Sequence, residues 1–324
     1  MPGNKSEVGA IKLSALDTWR GAYHPDIAAI DIGATNIRGV VLSKEGKLSQ
    51  VARSPIDSGV DSADFVKLVA DFAQYLEHWN SPGGHQPSLL VVALPGIVDE
   101  KRQELIGSAN LPWSDLNWVP KLSQLLMVQV RITHDVRAAL RAEVETGFLN
   151  GCSQGIAVSI GTGIGAGIVT DGRVLFGEGY AGEIGHINVG SDRECSCGAI
   201  GCLETVSSGP AISARYAEGT GKAGLEATEI AKRADAGDCV ASEVWKQATD
   251  ALALGLQASC SVLGTERVVL SGGLALAGQR LLEPLTQALE RSLSFHKVPE
   301  IRISKYGDLA TLHGAILEGL LLNQ

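Results

Sequence analysis

The sequence predicts an α/β fold in two related lobes, and two observations favour it. Strand-like apolar runs alternate with segments of helical periodicity from residue 27 to the end of the chain, as they do when helices pack on a sheet. The second observation is an internal echo, because AIDIGAT at 29–35 resembles AVSIGTG at 157–163. A duplication predicts two lobes facing each other across a cleft, whereas a chance match of short apolar runs is the alternative.

The first half of the chain alternates strands and helices. IAAIDIGATNIRGVVL, residues 27–42, predicts two short strands around a turn. DFVKLVADFAQYLEHW, residues 64–79, places its large apolar residues on one helical face. Residues 88–96 and 128–133 have the composition of strands, and a helix is predicted directly after Asp135.

The second half repeats this scheme. GIAVSIGTGIGAGIVTDGRVL, residues 155–175, predicts a glycine-rich hairpin. Residues 152–170 carry no charge, but their glycines favour two strands over a membrane helix. A long helix at 241–264, a buried strand at 267–273 and an amphipathic helix at 309–322 follow.

Composition and charge exclude several classes of protein. A net charge of −9 disfavours a nucleic-acid-binding surface. Residues 1–26 contain no run apolar enough for a signal peptide and indicate a loosely ordered lead-in. Six cysteines in such a chain do not indicate a disulfide framework. We therefore expect a soluble, cytoplasmic protein that binds neither nucleic acid nor membrane.

Three glycine turns follow predicted strands, at Gly33–Thr35, Gly161–Gly163 and Gly272–Gly273. Successive backbone N–H groups in such turns can form a nest for phosphate, and a plain hairpin or strand end is the alternative for each. GTGIGA at 161–166 does not open a helix, as a dinucleotide fingerprint must. GTGKA at 219–223 lacks the Ser or Thr of a Walker A loop.

The residues His186, Cys195, Cys197 and Cys202 form the densest chemical cluster in the sequence. One His and three Cys are the ligands of a closed structural zinc site. A redox thiol group and an iron–sulfur cluster are the alternatives. The C-x-C-x4-C spacing differs from the thioredoxin-type C-x-x-C, and iron–sulfur clusters more often use four cysteines.

Several motifs that occur in order carry a family resemblance. They are Asp31-Ile-Gly-Ala-Thr35, Leu94-Pro-Gly-Ile-Val-Asp99, Asn110-Leu, His134-Asp135, Gly161-Thr-Gly163, Glu183-Ile-Gly-His186, Cys195-x-Cys197-x4-Cys202-x-Glu204 and Ser271-Gly-Gly273. Over about residues 27 to 322, the sequence resembles the ROK family of sugar kinases and related repressors, within the actin/hexokinase/Hsp70 superfamily.

The resemblance implies a two-lobed actin-like ATPase fold, which is a duplicated ribonuclease H-like architecture with an interlobe cleft. We expect a lead-in at 1–26 and a small lobe at 27–135 that is completed by a C-terminal helix at 309–324. The large lobe would comprise 136–308 and carry the zinc-binding motif at 186–202.

The resemblance also implies an activity, the ATP-dependent phosphorylation of the 6-hydroxyl of a hexose or N-acylhexosamine. Glucose, N-acetylmannosamine and N-acetylglucosamine are the candidate sugars. Asp135 is the expected catalytic base, although by pattern alone it could be a helix N-cap. The residues expected to bind the sugar are Asn110, Asp135, Glu183, His186 and Glu204.

The implied cofactors are ATP, Mg²⁺ and a structural Zn²⁺. Asp31 would hold the Mg²⁺. The residues expected at the nucleotide are Asp31, Gly33, Thr35, Gly161, Thr162, Gly163, Gly272 and Gly273. The expected zinc ligands are His186, Cys195, Cys197 and Cys202, and the second ring nitrogen of His186 would face the sugar.

Two departures from the family pattern keep alternatives open. The family reads Asn-Asp-x-Asn where this chain has His134-Asp135-Val136-Arg137, and Gly-Gly-Thr-Lys where it has Gly33-Ala34-Thr35-Asn36. His134 puts the sugar in doubt and introduces a charge that varies with pH. A catalytically silent sugar sensor is therefore one alternative. A transcriptional repressor is another, but residues 1–26 are too short for its DNA-binding region. Polyphosphate is an alternative donor, and a homodimer is expected.

Overall fold

The computed structural model describes residues 26–33, 35–56, 62–80, 86–108 and 117–322. It divides the chain into two compact units. Unit 1 comprises Met1–Thr146, Phe176–Tyr180 and Leu309–Gln324, and unit 2 comprises Gly147–Leu175 and Ala181–Asp308.

The elements of the described residues follow one another as the alternating pattern predicts. In chain order they are β1 (Ile27–Ile32), β2 (Asn36–Leu42), β3 (Ala52–Pro55), α1 (Ser62–Asn80), β4 (Leu89–Leu94), β5 (Ile97–Asp99), β6 (Glu104–Gly107), α2 (Trp118–Leu126), β7 (Gln129–His134), α3 (Asp135–Thr146), β8 (Gly155–Ile160), β9 (Ile164–Thr170), β10 (Arg173–Val174), α4 (Glu204–Ser207), α5 (Gly209–Thr220), α6 (Ala227–Asp235), α7 (Cys239–Leu263), β11 (Arg267–Ser271), α8 (Gln279–Ser292), β12 (Glu300–Ile303) and α9 (Ala310–Leu321).

Unit 1 is built on a five-stranded sheet of order β3-β2-β1-β4-β7. β1, β4 and β7 are parallel neighbours, whereas β2 and β3 pair antiparallel. Every residue of β1 and β4 is buried, as expected for central strands that are covered on both faces.

Side chains alternate along these strands, so the two faces of the sheet meet different helices. On one face, Ile30 and Val92 pack in a cluster with Phe65 of α1 and Trp118 of α2. The neighbouring positions of β1 and β4 lie against α9. The predicted helix at 64–79 is confirmed by α1.

Helix α3 belongs to unit 1 because it packs along α9. Gly314 of α9 lies so close to the carbonyl of Ala138 in α3 that a Cβ at this position would collide with it. Unit 1 therefore continues to Thr146, whereas the sequence predicts a lobe boundary after Asp135. The residues Phe176–Tyr180 also belong to unit 1, although they fall inside the range predicted for the large lobe.

Unit 2 repeats the sheet of unit 1. Its strand order is β10-β9-β8-β11-β12, with β8, β11 and β12 parallel and β9 and β10 antiparallel. An offset of 128 residues carries β1, which begins at Ile27, onto β8, which begins at Gly155. The same offset carries β2, from Asn36, onto β9, from Ile164. The internal echo is therefore a repeated structural unit, and the predicted α/β fold class is confirmed.

The uncharged stretch 152–170 forms β8 and β9, as its glycines predict. The core of unit 2 packs these strands and β11 against α5, α6, α7 and α8. Within the part of the chain that the structure describes, no helix is both long enough and apolar enough to cross a bilayer.

Candidate active site

Asp31 is the buried carboxylate at the end of β1. The antiparallel register places Arg38 of β2 directly opposite, and the guanidinium forms an ion pair with the Asp31 carboxylate. A carboxylate is a ligand that Mg²⁺ accepts, so Asp31 fits the predicted metal role. Arg38 was not identified from the sequence as the partner of Asp31. Pairing the residues of the two predicted strands, counted outward from the turn, places Arg38 opposite Asp31.

The turn between β1 and β2 is closed by its own backbone. The N–H of Gly33 donates to the carbonyl of Asn36 at 2.9 Å, and the carbonyl of Thr35 accepts from the N–H of Ile56 at 2.8 Å. The side-chain amide of Asn36 donates to the Thr35 hydroxyl at 2.9 Å. Thr35 is therefore held on both its backbone and its side chain, while Ala34 lies outside the described residues.

Asp135 is the first residue of α3 and follows β7 without a break. Its Oδ1 accepts the backbone N–H of Val136 at 2.7 Å, and its side chain is 30% exposed. The bond to Val136 satisfies one of the free amides at the helix start, as expected if Asp135 also caps the helix. The remaining exposure leaves the carboxylate accessible to a substrate hydroxyl, as a general base requires.

The two residues that depart from the family pattern beside Asp135 are both buried. His134 is 4% exposed and Arg137 is 2% exposed. Burial, assisted by the nearby charge of Arg137, lowers the pKa of His134 to about 3. His134 is consequently neutral at physiological pH, and the pH-dependent charge suggested by the sequence is not found there.

The glycine turn between β8 and β9 is tied to the helices that follow the cysteine cluster. The N–H of Gly161 donates to the carbonyl of Gly163 at 2.9 Å. The carbonyl of Gly161 accepts from the N–H of Gly209, the first residue of α5, also at 2.9 Å. Thr162 is exposed at the tip. This turn is therefore anchored on one side and presents its tip to solvent.

The third glycine turn follows β11 and requires glycine at its first position. Gly272 has a φ of 83°, and a Cβ there would lie 2.5 Å from the carbonyl oxygen of Ile160. Gly273 begins a short 3-10 turn, and a Cβ at this position would meet no atom within 4 Å. Close backbone packing, rather than a ligand, accounts for the glycine at position 272.

The His/Cys cluster has the dimensions of a tetrahedral metal site. The ligand atoms of His186, Cys195, Cys197 and Cys202 all lie within 4.8 Å of one another. The Sγ of Cys195 is 3.6 Å from Nδ1 of His186, and the Sγ atoms of Cys197 and Cys202 are 3.7 Å apart. Tetrahedral zinc with ordinary Zn–S and Zn–N bonds separates its ligand atoms by about 3.5–3.8 Å, which these two separations match.

The backbone forms this cluster as a tight loop. The N–H of Cys195 donates to the carbonyl of Ala199 at 2.8 Å, and the N–H of Val189 donates to the carbonyl of Gly201 at 2.8 Å. Gly201 has a φ of 91° and no room for a side chain. Backbone hydrogen bonds therefore bring the four ligands together.

Burial raises the pKa of the Cys195 thiol to about 12 and also raises the pKa of Cys202, whereas the backbone at Ala199 lowers the pKa of Cys197. Two of the three thiols therefore favour their protonated forms without a metal. A bound Zn²⁺ would take the thiolate forms and release these protons.

Three of the predicted sugar-binding residues of unit 2 meet at this cluster. Oε1 of Glu204 lies 3.2 Å from Sγ of Cys195 and 3.9 Å from Nδ1 of His186. The other ring nitrogen of His186, Nε2, lies 3.9 Å from Oε2 of Glu183. Nδ1 therefore faces the metal ligands and Nε2 faces away from them. Asn110 lies outside the described residues.

The sequence comparisons decide the family. Residues 27–318 match the family model described as the ROK family. This chain belongs to the ROK family. The motifs that suggested the resemblance are thus parts of one ROK domain that spans both units.

Individual members of the family differ in activity. The chain is 30% identical to the glucokinase of Halalkalibacterium halodurans, over 91% of this chain and 94% of that protein. It is also 30% identical to the DNA-binding transcriptional dual regulator NagC of Escherichia coli K12, but over 71% of this chain and 61% of the regulator. The crystal structure of a ROK family glucokinase from Streptomyces griseus, in complex with glucose and AMPPNP, is 25% identical. The structural match covers 90% of this chain and 97% of the glucokinase chain, with a TM-score of 0.78.

Proposed function

We propose that this protein is an ATP-dependent sugar kinase that phosphorylates the 6-hydroxyl of a hexose or N-acylhexosamine. The observation that carries the proposal is Asp135, a partly exposed carboxylate held at the junction of a buried strand and a helix. Phosphoryl transfer to a hydroxyl needs such a group to accept the proton, and a protein that only senses sugar does not.

In the proposed reaction Asp135 accepts the proton of the 6-hydroxyl as the oxygen attacks the γ-phosphorus of ATP, and the bond from this phosphorus to the β–γ bridging oxygen breaks to release ADP. The glycine turns at Gly33–Thr35 and Gly161–Gly163 are proposed to supply the phosphate contacts, because backbone N–H groups in such turns suit an anion. Gly272 and Gly273 are proposed to lie beside the adenosine. Asp31 would hold the Mg²⁺, which would neutralise charge on the phosphates.

Glu183, His186 and Glu204, together with Asn110 and Asp135, are proposed to bind the sugar hydroxyls. Carboxylates accept hydrogen bonds from hydroxyls, and a neutral imidazole whose Nδ1 binds a metal donates from Nε2. The proposed Zn²⁺ is structural, and the four cluster residues would fill its four ligand positions. A metal held there would fix the orientation of His186 toward the substrate.

Glucose is the first sugar to test, because glucokinases of 30% and 28% identity each match more than four fifths of this chain. N-acetylmannosamine and N-acetylglucosamine are the other candidates. ATP is the proposed donor and polyphosphate its competitor. We also propose a cytoplasmic homodimer, which size-exclusion chromatography with light scattering would test as a mass twice that of the 33.9 kDa chain.

A coupled assay of ATP consumption across glucose, mannose, N-acetylmannosamine and N-acetylglucosamine tests the proposal, with polyphosphate as a second donor. We expect saturable turnover on at least one of these sugars. Binding of a sugar by calorimetry without turnover from either donor would contradict the kinase function.

The second candidate is a catalytically silent sugar-sensing or regulatory protein. The similarity to NagC over 71% of this chain favours it, as do His134 and Arg137 beside the proposed base. Sugar binding without turnover is the outcome that selects this function over the first.

A further inference from the structure

One carboxylate oxygen of Glu100 accepts three hydrogen bonds at the strand–helix junction that carries Asp135. Oε1 of Glu100 accepts from the Thr133 hydroxyl at 3.1 Å and from the backbone N–H of His134 at 2.8 Å. The same oxygen accepts from Nε of Arg137 at 2.8 Å. The end of β7 and the first turn of α3 are therefore both held by Glu100.

Arg137 also bonds to two further segments of unit 1. Its terminal nitrogens donate to the carbonyl of Val98 at 2.7 Å and to the carbonyl of Gly179 at 3.2 Å. A Cβ at Gly179 would lie 2.9 Å from the Val98 oxygen, so the two segments are in close contact. A buried guanidinium with this many partners is held in one position, because releasing any partner leaves a buried charge unsatisfied.

The same junction fixes the tautomer of His134. The backbone N–H of Arg137 donates to Nδ1 of His134 at 3.4 Å, so Nδ1 is an acceptor. A neutral imidazole that accepts at Nδ1 carries its proton on Nε2. Nε2 lies 3.4 Å from Oδ1 of Asp135, the oxygen that also accepts from Val136.

We propose, on the basis of the proposed kinase function, that His134 is a positioning residue that directs its Nε2–H to Asp135 and orients the catalytic carboxylate. Glu100 and Arg137 act through His134 by holding the β7–α3 junction and its tautomer. His134 is 4% exposed, so it has almost no surface with which to bind a sugar hydroxyl. At the position where the family has asparagine, this chain thus places a side chain directed at the proposed base.

The alternative is that His134 only fills space at the junction. The charged groups around it favour the role of a hydrogen-bond donor. Three charged side chains meet at the junction, namely Glu100, Arg137 and Asp135. Burial and the Arg137 charge both lower the pKa of His134, so the ring donates as a neutral group and does not form an ion pair. A donor at Oδ1 stabilises the ionised carboxylate, which is the form that accepts a proton.

The test compares His134→Gln, which keeps an N–H donor, with His134→Leu, which removes it. We expect the leucine variant to lose about tenfold to a hundredfold in kcat, with the KM for sugar changed less than about threefold. The acid limb of its kcat–pH profile should move to higher pH. The glutamine variant should recover most of kcat and restore the limb. Equal kcat values and equal acid limbs in the two folded variants would overturn the proposal.

An experiment on the unmodified chain separates this proposal from the proposed function. Imidazole ¹⁵N–¹H correlation spectra should show His134 as the neutral Nε2–H tautomer at pH 6. The ¹³C titration of Asp135 should have a lower midpoint than in His134→Leu. A proton on Nδ1, or a His134 that titrates near its ordinary value, overturns the positioning role even if the leucine variant fails to fold. Absence of turnover by the unmodified chain, with these spectra as expected, contradicts only the kinase function.

Discussion

The carboxylate of Glu204 lies where Gly163 would carry a side chain. A Cβ built at Gly163 comes within 3.1 Å of Oε2 of Glu204, while Oε1 of the same carboxylate is 3.2 Å from Sγ of Cys195. Glu204 thus joins the cysteine cluster to the glycine turn between β8 and β9. The proposed sugar and phosphate sites of unit 2 consequently share one side chain.

Gly163→Ala should displace Glu204 without unfolding the protein. The crowded atom is the end of a flexible side chain, so the free energy of unfolding should change by less than about 1 kcal/mol. The KM for sugar should rise about tenfold, because a hydroxyl contact is misplaced. Steady-state kinetics with a thermal melt provide the measurement.

Gly161→Ala is the matched control, because a Cβ at Gly161 meets no atom within 4 Å. Its KM for sugar should stay close to that of the unmodified chain. If both alanine variants raise this KM equally, crowding of Glu204 is not the cause.

Cys197→Ser should release the proposed zinc. A hydroxyl is a poor substitute for a thiolate ligand, and loss of a structural metal removes folding energy. We expect bound zinc to fall from about one per chain to near zero, with a lower melting temperature and a higher KM for sugar. Elemental analysis and a thermal melt are the measurements.

Cys239→Ser controls for the loss of a thiol, because Cys239 is exposed and lies outside the cluster. It should keep its zinc and its melting temperature. A Cys197→Ser protein that is fully active without zinc would show that the cluster holds no functional metal.

Local patterns made much of unit 2 predictable. The glycine hairpin and the cysteine cluster are each encoded within about twenty consecutive residues. The offset between β1 and β8 can be read from the similarity of the two sequence segments. Periodicity also predicted α1, because its apolar positions recur at helical spacing.

Long-range contacts were not predictable in the same way. The bond from Arg137 to Glu100 spans 37 positions and that from Arg137 to Gly179 spans 42. The packing of Gly314 on Ala138 is more distant still, and it is what assigns α3 to unit 1. Such contacts depend on the tertiary fold, and the sequence indicates only that Arg137 is unusual for its position.

Asp135→Asn should abolish turnover while leaving sugar binding in place. The amide keeps the size of the carboxylate but cannot accept the hydroxyl proton, so kcat should fall by about 10²–10⁴. The Kd for sugar should change by less than about threefold. Single-turnover kinetics and calorimetry measure the two quantities.

Asp250→Asn is the control for this substitution, because Asp250 pairs with Lys246 on the surface of α7. A surface pair of this kind contributes little, so turnover should be unchanged. Near-normal kcat in Asp135→Asn would show that another group accepts the proton.

The buried His134 should make stability depend on pH between about 3 and 6.5. Its pKa is lowered in the folded chain to about 3, so below its ordinary value of about 6.5 the unfolded chain binds a proton that the folded chain does not. The free energy of unfolding therefore falls as pH falls, by up to about 1.4 kcal/mol per pH unit from this residue. Urea unfolding at several pH values should show this slope reduced in His134→Gln. It should be retained in His296→Gln, which removes an exposed histidine. The same slope in both variants would mean that His134 is protonated in the folded chain.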